Sequence, residues 1–169
     1  MSKPHRQPAA VDREFQLWRL LDHAGFMIGR AREKELSQFG LTPEQAHVLD
    51  ILVNNGGAVT INDIVKITQR QHHSISTLVA RMGRQGLITK EKNAEDLRKW
   101  DVFITPRGEE LFRELTRDSL TRIMAVLTAK EHNNLRDGLF KLLQRAYAEL
   151  GQTPLPAYKK QRERPEAGE

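Results

Sequence analysis

Between Arg70 and Met82 the sequence sorts two chemistries onto two faces of one helical period. Ile75, Leu78, Val79 and Met82 recur at three- and four-residue steps, while Gln71, His72, His73, Ser74, Ser76 and Thr77 fall on other sides. The polar face carries amide, imidazole and hydroxyl groups and no carboxylate. Such groups donate and accept hydrogen bonds at the edges of base pairs, which aliphatic side chains cannot do. Further on, Asp96 and Arg98 stand in a charged run with Lys90, Lys92 and Lys99. A guanidinium near the tip of a charged hairpin suits a narrow groove of strongly negative potential. The chemistry implied is the reading of a nucleic-acid duplex. Ser76, His72 and His73 are candidates for base edges, and Ser74, Thr77 and Arg70 for phosphates that set the register. Lys90, Lys92 and Lys99 are more generic and neutralise phosphates at best.

A plainer reading makes Ser74, Ser76 and Thr77 solvated helix positions and Asp96–Arg98 an exposed pair worth little to stability. Against it stands the placement of the polar face opposite Ile75, Leu78 and Val79. Arg81 and Arg84 come late on the helix, and Arg81 suits an acidic partner within the module as well as it suits DNA.

These residues need elements to position them, and Thr60–Thr105 supplies a compact set. Thr60 is an N-cap for a short helix Ile61–Ile67, with Ile61, Ile64, Val65 and Ile67 on its apolar side. A tight turn leads to the second helix, which Gly86 stops. Leu87–Ile88 opens a short strand, Lys90–Lys99 forms a polar loop, and Trp100–Ile104 returns as a second strand. Two helices, a turn and a two-stranded β-hairpin make a winged helix-turn-helix, spanning residues 41–105 with the helix before it.

The flanks read as helical. Residues 1–10 are polar and expected to be a disordered tail. Residues 11–40 hold a long helix, Val11–Phe39, whose apolar stripe of Phe15, Trp18, Leu21 and Ile28 is widened by Leu17, Leu20, Phe26 and Met27. So broad a stripe implies burial on two sides. Thr42-Pro43-Glu44-Gln45 is a capping box with proline in the first turn. Residues 106–150 are expected to hold two long helices. The first, capped by Thr105, runs to about Leu127; the second opens at the Thr128–Glu131 capping box. Residues 151–169 form a basic tail expected to be disordered. The fold class is therefore mainly α with a small β-wing, with N- and C-terminal dimerisation helices. The flanking helices exceed what one winged helix needs for its core, and the economical reading is a symmetric homodimer.

The chain has 169 residues, 38% of them hydrophobic, a formal net charge of +5 and a pI of about 9.7. Residues 60–107 hold nine Lys and Arg against five Asp and Glu, so +4 of the formal +5 lies in the reading module. There is no cysteine, which excludes a thiol redox switch, a disulfide framework and Cys-containing zinc sites. No apolar run is long enough to span a membrane, no signal peptide is legible, and a cytoplasmic, soluble protein is expected. No phosphate loop, nucleophile elbow or recognisable pair of carboxylates supports an enzyme. His72 and His73 are adjacent and diverge on a helix, and His23, His47 and His132 lie in separate elements. They make poor metal ligands, so neither a metal nor a cofactor is expected.

The chain resembles the MarR family of transcriptional regulators. The resemblance is carried by Leu41–Gln45 (LTPEQ), Ser74–Ile88 (SISTLVARMGRQGLI), Asp96-Leu97-Arg98 and Ile104–Gly108 (ITPRG). With the flanking helices it covers roughly Val11 to Leu150. It implies an obligate homodimer with two winged helices at its base, acting as a repressor on a pseudo-palindromic double-stranded DNA operator. Arg98 would enter the minor groove, held by Asp96. A small effector, an aromatic or phenolic acid or an acyl thioester, would bind between the dimerisation helices and the reading module. His23, Phe26, Met27, Arg30, His47 and Phe112 are the candidates for that pocket. Arg30 is the sharpest, as a cation able to receive a carboxylate or phosphate; Phe26, Met27 and Phe112 are equally readable as plain core. The Gln71-His72-His73 triplet is less ordinary for the family, and the absence of cysteine departs from its peroxide- and thiol-sensing members. The alternatives are a DNA-binding protein without an effector, a metal-responsive regulator, and, more distantly, a winged helix used only for protein contacts.

Overall fold

The computed structural model describes residues 9–153, with side chains from residue 12 onward. The elements are α1 (Ala9–Ser37), α2 (Pro43–Asn54), β1 (Ala58–Thr60), α3 (Ile61–Thr68), α4 (His72–Arg84), β2 (Ile88–Lys92), β3 (Trp100–Ile104), α5 (Pro106–Glu114), α6 (Asp118–Met124) and α7 (Ala129–Glu149). Ala9 and Ala10, assigned above to the N-terminal tail, belong to α1. The rest of that tail, and residues 154–169, lie outside the described residues. Packing divides the chain into two units, the first ending at Ile123 and the second beginning at Met124.

Local chemistry starts three helices in the same way. Thr42, Thr60 and Thr128 each accept a hydrogen bond from the N–H three residues on, and the side chains of Gln45, Asp63 and Glu131 each accept one from the cap's own N–H. Gly40 and Gly86 take positive φ at the stops after α1 and α4. Between α3 and α4 the turn runs through Gln69 at φ 54°, a left-handed conformation rare for a residue with a Cβ.

The core of the first unit gathers one face from each element. Leu36, Leu49, Leu52, Ile64, Ile75, Val79, Met82 and Val102 are almost wholly buried, with Leu41, Ile51, Ile61 and Leu87 around them. Each such aliphatic side chain contributes about 1.5–3 kcal/mol by leaving water. Their spacing on α4 is the one read in the sequence, so the opposite face of α4 is left to solvent.

The sheet has three strands in the order β1-β3-β2, all antiparallel. The hairpin expected from sequence is β2–β3, with Ile88 opposite Ile104 and Lys92 opposite Trp100. β1 adds a third strand, pairing Ala58 with Phe103 and Thr60 with Asp101. It ties the start of α3 to the base of the wing.

One expectation is corrected. The helix expected to run from Thr105 to about Leu127 is two helices, α5 and α6, broken where Leu115 turns extended. The cause lies on α1. The carboxylate of Glu35, buried, accepts hydrogen bonds from the Thr116 hydroxyl (2.6 Å), the Asp118 N–H (2.8 Å) and the Ser119 hydroxyl, and pairs with Arg32 at 2.7 Å. An anion bonded to the first turn of α6 favours a fresh helix start over continuation of α5. In the second unit, α7 exposes Leu135, Leu139 and Leu142 to solvent.

Candidate nucleic-acid interface

α4 is the element with two chemistries. Ile75, Leu78, Val79 and Met82 are buried, while Gln71, His72, His73, Ser74 and Thr77 are exposed and Ser76 is half-buried. His72 Nδ1 and Ser76 Oγ lie 3.4 Å apart along the helix, so these two share a weak contact. The first turn holds no acidic residue, and the Gln71 side chain makes no capping bond. The N–H groups at that end are thus left to an outside acceptor, in an electrostatic setting that favours an anion.

The wing is ordered by side chains reaching its own backbone. Asn93 donates to both carboxylate oxygens of Asp101, at 2.9 and 3.1 Å, and its Oδ1 accepts from the N–H groups of Glu95 and Asp96. Asp96 accepts from the N–H and the Nε of Arg98, both at 3.1 Å, and meets Lys99 Nζ at 3.5 Å. These bonds from Arg98, with help from Lys99, hold the Asp96 carboxyl below its ordinary range. The Arg98 side chain is nonetheless 92% exposed. Its base is held by Asp96 and its guanidinium edge is open to an acceptor. Lys90 and Lys92 both lie over the ring of Trp100, at 4.1 and 4.2 Å from its centre.

Arg70, on the turn before α4, is paired at 3.0 Å with Glu44 of α2. It shares a small cleft of about 130 Å³ with His47, Thr68 and Ile75. Arg81 is exposed, and no acidic partner lies within ion-pair distance among the described residues.

The residues named for an effector pocket lie on three helices, α1, α2 and α5. His23, Phe26 and Met27 are exposed on α1, and Arg30 is spent at the surface on Glu33, 2.8 Å away. His23 lies beside Trp18 and Asp22 along an open groove of that helix, and His47 lies in the Arg70 cleft. Phe112 is half-buried against the core. Sequence reasoning missed two groups, Glu35 with its four donors and the Lys90–Trp100–Lys92 stack. The only sequence signal for the stack was the alternation Lys90, Lys92 against Trp100, whose meaning depends on strand register.

Two short helices about a tight turn, a second helix with an exposed polar face and an antiparallel hairpin carrying an exposed arginine define a winged helix-turn-helix DNA-binding protein. Residues 39–99 match the model of the MarR family. The HTH-type transcriptional regulator FarR of Neisseria gonorrhoeae is 26% identical over 102 residues, covering 55% of this chain and 69% of FarR. MepR of S. aureus, solved in complex with DNA, is 27% identical with a TM-score of 0.67, covering 77% of this chain and 96% of MepR. The fold is also that of the organohalide-sensing regulator RdhR-CbdbA1625 in its 2,4-dichlorophenol-bound form. There the TM-score is 0.75 at 24% identity, covering 92% of this chain and 98% of that one. Over residues 39–99 the chain is thus similar to MarR-family transcriptional regulators, and its winged helix has the fold of relatives solved with and without DNA. Among the described residues no helix is long and apolar enough to cross a membrane.

Proposed function

We propose that the chain acts as a homodimeric repressor that binds a pseudo-palindromic operator and releases it on binding a small aromatic or acyl effector. One observation carries the DNA-docking part. α4 buries Ile75, Leu78, Val79 and Met82 and turns His72, His73, Ser74 and Thr77 outward, on a module whose wing exposes Arg98. In this docking α4 enters a major groove, with His73 and His72 toward base edges and Ser76 behind them. Ser74, Thr77, Gln71 and the N–H groups of the first turn meet phosphates, and Arg98, set by Asp96, enters the adjoining minor groove. Lys90, Lys92 and Lys99 add phosphate neutralisation. Arg70 joins them by exchanging Glu44 for a phosphate.

The dimer part is supported by α1, where Phe15, Leu17, Trp18, Leu20, Phe26 and Met27 are all more than half exposed. A stripe of that breadth on one helix is the mark of an interaction surface. A two-fold axis then sets two copies of α4 about one helical turn apart on the DNA. Release by an effector requires that it bind the DNA-free form more tightly than the DNA-bound form. The dichlorophenol bound by RdhR-CbdbA1625 suggests the aromatic class.

The test is a footprint on the DNA upstream of the protein's own coding sequence, repeated with a panel of aromatic acids and acyl thioesters. Two protected half-sites about ten base pairs apart are expected, lost in the presence of an active compound. No protection at any salt concentration would overturn the docking. A second reading, a DNA-binding protein without an effector, is favoured by the exposure of His23, Phe26 and Met27 and by the surface pairing of Arg30 with Glu33. Protection that no compound of the panel relieves selects it.

A further inference from the structure

The wing has two faces of opposite sign, and one aromatic ring organises the positive one. Successive residues of a strand point to opposite sides of a sheet, so Ile88, Lys90 and Lys92 share a side of β2. Their partners across the hairpin are Ile104, Val102 and Trp100. Near the base this side is core: Ile88 and Val102 are buried, and the sheet packs there on α2 and α4. Toward the tip the same side continues past the helices and becomes Lys90, Lys92 and a half-buried Trp100. The other side carries the carboxylates, with Glu91 directly opposite Asp101. Like charges facing each other across a ladder destabilise it. Their placement keeps both negative charges off the lysine side.

Lys90 and Lys92 repel each other, and in isolation their long side chains would spread through solvent. Both ammonium groups instead lie within 4.2 Å of the centre of the same indole. The negative face of an aromatic ring attracts a cation, most strongly in tryptophan, and offsets part of that repulsion. Lys92 is fixed further by donating from Nζ to the Leu97 carbonyl oxygen at 2.8 Å. The ring is anchored on the core. Two otherwise mobile cations are thereby held in one place, on the side of the wing continuous with the face that packs on α4.

We infer that Trp100 is a positioning residue for DNA binding: its indole gathers Lys90 and Lys92 into a preorganised two-cation clamp on the inner face of the wing, which grips the phosphate backbone between the major groove taken by α4 and the minor groove taken by Arg98. The inference rests on the docking proposed above. It differs from general phosphate neutralisation in making the two lysines depend on the ring. Preorganised side chains lose less conformational freedom on binding than free ones.

The test uses the full chain with two DNA probes, a duplex from the protein's own upstream region and a random-sequence duplex, each across a salt series. The Lys90→Ala/Lys92→Ala double variant should lower the salt slope by about two units on both probes. Trp100→Leu keeps apolar bulk at the edge of the core and removes the cation-binding face. It should weaken binding roughly three- to tenfold on both probes, with unchanged circular dichroism and sedimentation. In the Trp100→Leu background, the added loss from the lysine pair should shrink by a similar factor. Trp100→Phe, which keeps a ring, should recover most of the affinity. It also serves if the leucine variant fails to fold, because subtracting its emission from wild type isolates Trp100, the other tryptophan being Trp18. That isolated emission should change when either duplex is added. Equal cost of the lysine pair in both Trp100 backgrounds, or a Trp100 emission blind to DNA, overturns the clamp. Loss of binding by wild type itself would overturn the docking instead, so the two failures are distinguishable.

Discussion

The hydroxyl of Thr116 donates a 2.6 Å hydrogen bond to the carboxylate of Glu35, 81 residues earlier in the chain. Burial by itself would raise the Glu35 pKa, but donors from Ser119, Thr116 and Arg32 outweigh it and bring the group from 4.5 down to about 2. A carboxyl whose folded pKa lies below its unfolded value stabilises the fold above the unfolded value, and the benefit disappears as pH falls through the folded one. The window is therefore pH 4.5 down to 2. Glu35→Gln should cost on the order of 2 kcal/mol at neutral pH, after allowance for solvent screening. Between pH 4.5 and 2 the difference from wild type should shrink toward zero. Chemical denaturation of both proteins at several pH values measures it, and a difference that does not narrow in acid would contradict the ionised cluster.

Gly108 sits where α5 starts against the strand end. A Cβ there would press into the carbonyl oxygen of Leu87, a backbone atom that cannot swing aside. Gly108→Ala should destabilise by roughly 1–3 kcal/mol, the usual cost of overpacking. Thermal unfolding gives the number; a melting point equal to wild type would mean that α5 is free to shift.

Much of this architecture was legible because its causes are local. The Thr42–Gln45 and Thr128–Glu131 boxes, the glycine stops at Gly40 and Gly86 and the apolar period of α4 each depend on residues within one or two turns. What escaped depends on distant partners. β1 is three residues long, too short for any alternation to show, and exists because β3 pairs with it. The apolar series Leu111, Phe112, Leu115, Leu120, Ile123 slips only by one five-residue step at the α5–α6 joint, too slight a signal for a break that Glu35 imposes from α1. The Trp100 stack needed the register of β2 against β3. The candidate DNA surface was thus readable as a set of residues, but the ring that gathers two of them was not.

Phe15 and Trp18 lie with ring centroids 5.3 Å apart on the exposed stripe of α1. If that stripe is the dimer surface, Phe15→Ala and Trp18→Ala should each weaken association ten- to a hundredfold, as large aromatic anchors do at interface centres. Sedimentation equilibrium across a dilution series reports it. A wild-type chain that is a folded monomer at micromolar concentration would remove the dimer from the account.

His73 is the exposed imidazole of the first turn of α4 that has no partner like the Ser76 contact of His72. Replacing it with Ala should reduce discrimination between the cognate site and single-base variants by roughly 1–3 kcal/mol at one position per half-site, with the salt slope nearly unchanged. Isotherms on a set of point-mutated duplexes decide this. A uniform loss on every duplex would assign His73 to the phosphates instead.

The docking of the whole module turns on Arg98, and its most direct measurement is the affinity of Arg98→Ala for the protein's own upstream duplex across a salt series. Arg98 is exposed at the wing tip and buries nothing, so the change should leave the melting point alone. With the guanidinium in a minor groove, the variant should bind more weakly at every salt concentration, most of all where A·T-rich sequence flanks the site, and its salt slope should fall by about one unit. An affinity and a slope equal to those of wild type would mean that the wing does not enter the groove, and the docking would be wrong.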